Sequence, residues 1–226
     1  MIRAVVFDLW NTLVRSQKGS PFRRVQSLLA PDQAAQVDDF MWDSMRQPYP
    51  DCRSFLEAWR ASMRLDETRF RSIQETFREA ALDAELFPEA LEVLDRTKVL
   101  ARTALLSNTQ GFDMEFLDAF GISERIRTRV LSAEIGFLKP EPGAFEAVQA
   151  RMGLFPGNLV MVGDSWRDDV EGALNAGWTA SWINRGGLPK PDLDPAADFI
   201  ELPDLVRVPE VIERLQAGAR CATCLG

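Results

Sequence analysis

The 226-residue sequence contains no histidine. This absence excludes catalytic pairs of serine or cysteine with histidine, and it excludes zinc sites with histidine ligands. Cysteine is scarce, since Cys52, Cys221 and Cys224 are the only three. A disulfide framework is therefore not expected, and a reducing cytoplasmic location is predicted. Any catalysis must rely on carboxylates, hydroxyls and lysine, with or without a hard metal ion.

Long apolar runs and an excess of positive charge are also lacking. No run approaches the roughly 20 apolar residues of a membrane-spanning helix, and no signal-peptide pattern is expected before the first strand. The chain has 34 acidic and 26 basic residues, which give a net charge of −8. Because this field repels phosphate backbones, a nucleic-acid partner is not expected. The lack of a long apolar run likewise predicts no membrane partner.

What the sequence does contain is a series of short apolar runs that alternate with helical patterns. The apolar runs are residues 3–8, 101–108, 129–134, 158–164, 179–184 and 197–202. The helical patterns are residues 88–98, 112–121, 141–153, 168–178 and 208–218. This alternation predicts βαβ units and hence an α/β fold with a doubly wound parallel sheet.

Residues 15–85 interrupt the alternation, because they contain no convincing strand. Their patterns predict helices over roughly 21–30, 31–46, 52–64 and 66–84. The segment carries 11 bases and 12 acids, a net charge of −1, so the remainder carries −7 of the total −8. We therefore predict a helical domain, less acidic than the rest, inserted into an α/β core of residues 1–14 and 86–226.

Polar side chains follow the predicted strands. Asp8 ends the first strand, Ser107 ends the second, Lys139 follows a turn after the third, and Asp164 ends the fourth. Taken singly, each except Asp8 is explained as well by a turn, a helix cap or a solvated surface position. Because ligands of open parallel sheets bind outside the carboxyl ends of the strands, the four together predict one ligand site.

Four motifs at these positions resemble those of the haloacid dehalogenase-like hydrolase superfamily. The stretches are FDLWNTL (7–13), LLSN (105–108), GFLKPEPGAF (136–145) and VMVGDSWRDDVEGALNAGW (160–178). The first is similar to the family motif Asp-x-Asp-Gly-Thr-Leu, and the fourth to a Gly-Asp followed after five residues by a second Asp. One such motif is weak, but four in order are specific. The resemblance spans residues 1–14 and about 86–202, and it identifies the insertion as a cap domain.

The resemblance implies a nucleophile and a metal site. Asp8 would attack the substrate and form a covalent aspartyl intermediate that water then cleaves. Mg²⁺ would be bound by Asp8, Asp164 and the backbone carbonyl of Trp10. Asp169 and Ser165 would orient the groups around the ion from outside.

The resemblance also implies how an anionic substrate would be held. Lys139 would offset the negative charge on the nucleophile and on the group being transferred. Ser107, Asn11, Thr12 and Asn108 would provide hydrogen bonds for the phosphoryl oxygens.

Trp10 departs from the family pattern, because the phosphatases of the family have a second Asp at this position. That Asp protonates the leaving oxygen and later activates water, and an indole does neither. Such help is worth about 10²–10⁴-fold in rate, so turnover of ordinary alkyl phosphates should be reduced. Asn11 stands where the family usually has Gly, and Asn tolerates a left-handed backbone better than most residues.

Three functions follow from these residues. The first is a Mg²⁺-dependent phosphatase for a small phosphorylated metabolite, with preference for leaving groups that need no proton. The second is a haloacid dehalogenase, since that branch has an aromatic Tyr at the position of Trp10. Dehalogenases of the family, however, use no metal and have a Ser-Ser-Asn type sequence where this chain keeps Gly163 and Asp164. The third is a binding or regulatory protein that has lost catalysis. The intact Asp164 favours the phosphatase.

Overall fold

Six parallel strands form a central sheet in the order β5-β4-β1-β6-β7-β8. The structure is a computed structural model, and it describes residues 1–189 and 199–218. The strands are β1 Ala4–Phe7, β2 Val14–Ser16, β3 Ala84–Leu86, β4 Arg102–Ser107, β5 Thr128–Leu131, β6 Leu159–Gly163, β7 Thr179–Ile183 and β8 Phe199–Leu202. The doubly wound α/β fold predicted from the sequence is confirmed.

The helices flank this sheet or lie in the segment between β2 and β3. They are α1 Pro21–Gln26, α2 Pro31–Ala34, α3 Val37–Ser44, α4 Cys52–Met63, α5 Glu67–Ala81, α6 Ala90–Leu100, α7 Phe116–Ala119, α8 Ser132–Ile135, α9 Pro142–Met152, α10 Gly172–Asn175 and α11 Val208–Gln216. None of the helices in the described ranges has the length and apolar character needed to cross a bilayer. Cys221, Cys224 and residues 190–198 lie outside the described residues.

Strand β1 lies at the centre of the sheet, and its four residues are fully buried. Alternate side chains point to opposite faces of a strand, so β1 contributes to two apolar layers. Val5 and Phe7 belong to a layer with α6 and α11, whereas Ala4 and Val6 belong to a layer with α9. This burial on both faces explains why β1 reads as a continuous apolar run.

The register of the sheet sets the position of the strand ends. Phe7 of β1 pairs with Leu105 of β4 on one side and with Val162 of β6 on the other. The carboxyl ends of the three strands therefore lie side by side, and the chain leaves β1 between two neighbours that follow much later in the sequence.

Residues 15–85 contain five helices with a separate apolar cluster. Phe22, Phe55, Trp59 and Phe77 are buried at its centre, with ring centroids 5.1–6.0 Å apart. The helix predicted over 31–46 is divided into α2 and α3.

The expectation that residues 15–85 contain no strand is wrong at both ends of the segment. Strands β2 and β3 form an antiparallel ribbon in which Val14 pairs with Leu86 and Ser16 with Ala84. Three residues are too few to show an alternating pattern, and within the described residues the two strands form a sheet of their own. The ribbon brings both ends of the helical segment to one place.

Two predicted helices differ from the structure. The helix predicted over 112–121 is reduced to Phe116–Ala119. Its first part is irregular because Asp113 has a left-handed backbone, with φ of 55°, and because Phe112 stacks on Phe55 at 5.6 Å. The helix predicted over 168–178 begins earlier, as a π-helical turn at Trp166–Glu171, and continues as α10.

We predict that Phe145→Ala lowers the free energy of unfolding by about 3–5 kcal/mol, because it removes a fully buried ring and leaves a cavity. This ring lies edge-on to Trp178 at 5.2 Å. Phe155→Ala is the matched control, since Phe155 is 82% exposed and should change stability by no more than about 0.5 kcal/mol. Urea unfolding measures both values, and equal losses would contradict the assigned core.

Candidate active site

Three carboxylates meet at the carboxyl end of the sheet. Asp8 follows β1, Asp164 follows β6, and Asp169 lies in the π-helical turn after β6. One oxygen of each carboxylate lies within 4.8 Å of the other two. Asp8 and Asp169 are buried and Asp164 is half-buried. Neighbouring parallel strands thus bring together acids that are more than 150 positions apart in sequence.

Lys139 lies between two of these acids. Its Nζ donates to Oδ1 of Asp8 and to Oδ1 of Asp169, both at 2.5 Å. The lysine side chain is 2% exposed. A buried ion pair of this kind offsets the desolvation of its members only when the geometry is close and the hydrogen bonds are satisfied. Here one ammonium serves two buried carboxylates.

Asn108 holds the backbone of Lys139. The amide N–H of Lys139 donates to Oδ1 of Asn108 at 2.7 Å, and Nδ2 of Asn108 donates to the carbonyl of Lys139 at 2.9 Å. The side chain predicted to bind substrate is therefore engaged with the lysine loop in this structure. Because Asn108 directly follows β4, these hydrogen bonds fix the position of the Lys139 backbone relative to the sheet.

The electrostatics of the cluster disfavour full ionisation of the acids. Burial raises the pKa of Asp8 to about 7, with a further rise from Asp169 and Asp164, although Lys139 opposes the shift. Burial and the charge of Asp169 likewise raise the pKa of Asp164 to about 6. Burial opposes the charged form of Lys139, but the charges of Asp169 and Asp8 outweigh it and raise the pKa of this ammonium.

The residues present fit a hard divalent cation. The cluster offers only oxygen ligands, and its three acids face a single ammonium, so a further positive charge would relieve their repulsion. Half-exposed Asp164 leaves a side open to water molecules, which Mg²⁺ retains when it binds proteins.

The loop after β1 is a tight turn around the carbonyl of Leu9. The amides of Leu13 and Val14 both donate to this carbonyl, at 2.9 and 3.0 Å. Asn11 has a left-handed backbone, with φ of 59°, and its amide donates to the carbonyl of Val14 at 2.6 Å. Asn is among the few residues with a side chain that adopt this conformation readily. The left-handed backbone that the sequence allows at Asn11 is thus present.

Thr12 is fully buried and contacts one of the acids. Its hydroxyl donates to Oδ1 of Asp164 at 3.3 Å. Arg185, which follows β7, reaches the same loop and donates to the carbonyl of Thr12 at 3.3 Å. The structure therefore gives Thr12 a role in positioning Asp164.

Ser107 ends β4 with an unused hydroxyl. The residue is 1% exposed, and its Oγ has no hydrogen-bond partner among the described residues. A buried hydroxyl without a partner is unfavourable, and such groups in folded proteins call for a specific explanation. A ligand oxygen at the end of the sheet would supply the missing partner.

Ser165 and Gly163 hold Asp169 in place. The amide of Ser165 donates to Oδ2 of Asp169 at 2.9 Å, and its hydroxyl accepts from the amide of Asp168 at 3.2 Å. A Cβ on Gly163 would lie 2.2 Å from Oδ2 of Asp169. The glycine is thus required by the close approach of this carboxylate to the end of β6.

Trp10 is half-buried and fixed by two contacts. Its Nε1 donates to Oγ1 of Thr109 at 3.3 Å, and its ring lies 5.6 Å from that of Phe116. Both partners lie in the segment that follows β4, after Ser107.

Sequence reasoning did not assign two residues near the site, Thr109 and Arg185. Thr109 is buried and lies two positions after Ser107, but hydroxyl residues beyond a strand end are too common to be a signal. Arg185 forms an ion pair with Glu89 at 2.7 Å and lies 3.6 Å over the ring of Phe87. These partners are about 100 residues away in sequence, so no local pattern predicts the contact.

A family model described as haloacid dehalogenase-like hydrolase matches residues 2–177. The phosphoserine phosphatase of Thermus thermophilus is 33% identical over 153 residues, which are 67% of this chain and 58% of that protein. The human N-acylneuraminate-9-phosphatase is 26% identical over 233 residues, 91% of this chain and 94% of that protein. The chain therefore spans 58% of the length of the first relative and nearly all of the second.

Solved structures share the fold. A HAD phosphatase from Thermococcus onnurineus has a TM-score of 0.65 at 22% identity, with 97% of this chain and 100% of that chain covered. A 2-haloacid dehalogenase from Pseudomonas syringae has a TM-score of 0.68 at 20% identity, with 95% and 100% covered. At these identities the likeness concerns the fold alone.

We predict that Gly163→Ala lowers the free energy of unfolding by about 1–3 kcal/mol, because the new methyl group overlaps the Asp169 carboxylate. Gly157→Ala is the control, since a Cβ at Gly157 meets no atom within 4 Å. Thermal and urea unfolding of both variants measure the difference. Equal stability of the two variants would contradict the close packing of Asp169 against β6.

Proposed function

The chain belongs to the haloacid dehalogenase-like hydrolase family, and from this premise we propose that it is a Mg²⁺-dependent phosphatase acting on a small phosphorylated metabolite. The observation that carries the proposal is the meeting of Asp8, Asp164 and Asp169 within 4.8 Å, with the ammonium of Lys139 between Asp8 and Asp169. The curated relatives reported above are named as phosphatases, which supports the same choice.

Asp8, Asp164 and the backbone carbonyl of Trp10 would hold the Mg²⁺, and Asp169 would orient Lys139 and the surrounding groups. When bound, the ion would offset the charge of the phosphate and so allow a carboxylate to approach it. Thr12 would fix the rotamer of Asp164 through its hydrogen bond to Oδ1.

The chain's own groups would carry out two steps. An oxygen of Asp8 would form a bond to phosphorus while the bond from phosphorus to the leaving oxygen breaks, and the leaving oxygen keeps the electron pair. Water would then cleave the aspartyl phosphate, which restores the carboxylate of Asp8 and releases inorganic phosphate. Lys139 and the hydroxyl of Ser107 would stabilise the negative charge on the transferring group.

Residues 15–85 would act as a cap that excludes water from this reaction. Polar contacts, as well as the stacking of Phe112 on Phe55, join the helical segment to the loops around the site. Arg46 forms a two-point ion pair with Glu141, at 2.5 and 3.0 Å, and Gln110 donates to Ser44 at 3.2 Å. Glu141 lies two residues after Lys139, so closure of the cap would be linked to the lysine loop.

The scarcity of cysteine supports a cytoplasmic location as part of the proposal.

The aromatic Trp10 favours dehalogenation as a second candidate function, because a halide leaves without a proton. This candidate is weaker, because the chain retains Asp164 and places it close to Asp8. The negative charge of Asp164 there adds to the repulsion between the acids.

We expect the wild-type protein to hydrolyse acetyl phosphate and p-nitrophenyl phosphate when Mg²⁺ is present, and Asp8→Asn to reduce the activity to background, because an amide is not a nucleophile for phosphorus. Asp118→Asn, at an exposed position of α7, is the control and should retain full activity. Phosphate release measures the rates. Metal-independent chloride release from 2-chloropropionate by the wild type would instead identify a dehalogenase.

We predict that Asp164→Ala abolishes Mg²⁺ binding, because it removes one of the two directly coordinating carboxylates of the proposed site. Titration calorimetry and the rise of melting temperature on addition of Mg²⁺ would measure this loss. The control is Asp168→Asn in the same turn, which should bind Mg²⁺ like the wild type. Unchanged Mg²⁺ affinity in Asp164→Ala would refute the metal assignment.

Trp10→Asp should increase kcat for a simple alkyl phosphate by about 10²–10⁴-fold, because it supplies an acid that can protonate the leaving oxygen. Trp10→Asn opens the same space without a transferable proton and should give no such gain. Steady-state kinetics of both variants with Mg²⁺ provide the comparison. An equal increase in both variants would show that space, and not proton transfer, limits the wild type.

A further inference from the structure

A cavity of about 320 Å³ lies next to the loop that follows the proposed nucleophile. Its wall on the side of the sheet includes Trp10 and Asn11, two and three residues after Asp8, and Asn108, which follows Ser107. The opposite wall comes from helices of residues 15–85 and includes Phe22. A substrate whose phosphorus lies at Asp8 therefore has this cavity next to it for its organic part.

The cavity lining combines aromatic rings with small and polar side chains. Five rings contribute to its lining, and they come from both sides of the space: Trp10, Phe22, Phe77, Phe112 and Phe116. Aromatic side chains favour offset-stacked and edge-to-face contacts with another ring, which are worth more than burial of the same area alone. The volume is at the lower end of the range for small-molecule sites and suits one or two fused rings.

The cavity offers no positive charge to an acidic ligand. Its lining contains no lysine or arginine within the part of the chain that the structure describes, and Asp113 adds a negative charge. Two arginines of the helical segment already pair with carboxylates, Arg24 with Glu79 at 2.6 Å and Arg46 with Glu141. A carboxylate on the organic part would lose hydration here without gaining a cationic partner.

Trp10 restricts the leaving group as well as the shape of the cavity. Its Nε1–H is directed at Thr109, and the indole has no proton to give to a departing oxygen. An alkoxide is a poor leaving group without a proton, whereas a phenolate has a conjugate acid with a pKa of about 10, as in tyrosine, and leaves as the anion.

We propose that the substrate is a phosphate monoester of a phenol with an uncharged ring system, bound in this cavity. The inference rests on the proposed phosphatase function and narrows it. An oxygen of Asp8 forms the new bond to phosphorus, the bond between phosphorus and the aryl oxygen breaks, and the phenolate leaves with the electron pair and takes a proton from solvent. Water then adds to the aspartyl phosphate and gives dihydrogen phosphate and the carboxylate.

Three substrates with Mg²⁺ test the proposal: 1-naphthyl phosphate, phosphoserine and acetyl phosphate. Acetyl phosphate needs neither a proton nor an aromatic site, so it reports the phosphatase function alone. We expect kcat/KM for 1-naphthyl phosphate to exceed that for phosphoserine by about 10²-fold or more. Hydrolysis of acetyl phosphate with equal or better use of phosphoserine would overturn the inference and leave the proposed function standing. Failure with all three would overturn both.

A substitution in the cavity wall gives an independent test. Ala80→Trp would fill the space and should raise KM for 1-naphthyl phosphate about tenfold, with the kinetics of acetyl phosphate unchanged. Leu82→Trp is the control, since Leu82 is 85% exposed and does not line the cavity. An unchanged KM in a folded Ala80→Trp variant would refute the aromatic site.

Ala81→Arg covers the case in which Ala80→Trp fails to fold. Ala81 is exposed and ends α5, where an arginine is compatible with the helix. The new cation should lower KM for phosphoserine about fivefold or more and leave KM for 1-naphthyl phosphate unchanged, because only the acidic ligand gains a partner. If phosphoserine binds no better in this variant, the absence of positive charge does not determine the preference and the inference is wrong.

Discussion

The contact of Lys139 with Asp8 and Asp169 is the interaction on which the rest of the site depends. Two carboxylates at the buried end of a sheet would repel each other, and the single ammonium at 2.5 Å from each holds them together. Removal of one partner from such a group leaves an uncompensated buried charge, which is strongly destabilising. Asn108 on one side and Ser165 on the other fix the lysine loop and Asp169 by hydrogen bonds.

The sheet topology explains why these groups come together. Strand β1 pairs with β4 and β6, so the polar residues after all three strands share one edge. The apolar layers on both faces of β1 fix its register, and Phe7 fixes the height of Asp8 relative to Asp164 and Ser107. Packing energy far from the site thus supports a geometry that the charged residues would not adopt alone.

Much of this arrangement could be predicted from the sequence, because the signals are local. Apolar runs predict the strands of the main sheet, and the end of each run predicts where Asp8 and Asp164 emerge. Contacts between distant segments had no such signal: Thr12 with Asp164, Asn108 with Lys139, and Trp10 with Thr109. For the same reason the pairing of β2 with β3 and the early interruption before α7 were missed, since tertiary contacts override local propensity there.

The β2–β3 ribbon has a mechanical consequence. Both connections of the helical segment pass through three-residue strands that are hydrogen-bonded to each other, and Arg185 lies over Phe87 at the end of this pair. Two adjacent connections that are hydrogen-bonded to each other would favour rotation of the helical segment about an axis near the ribbon over sliding. In such a rotation, the displacement of a residue would grow with its distance from the ribbon.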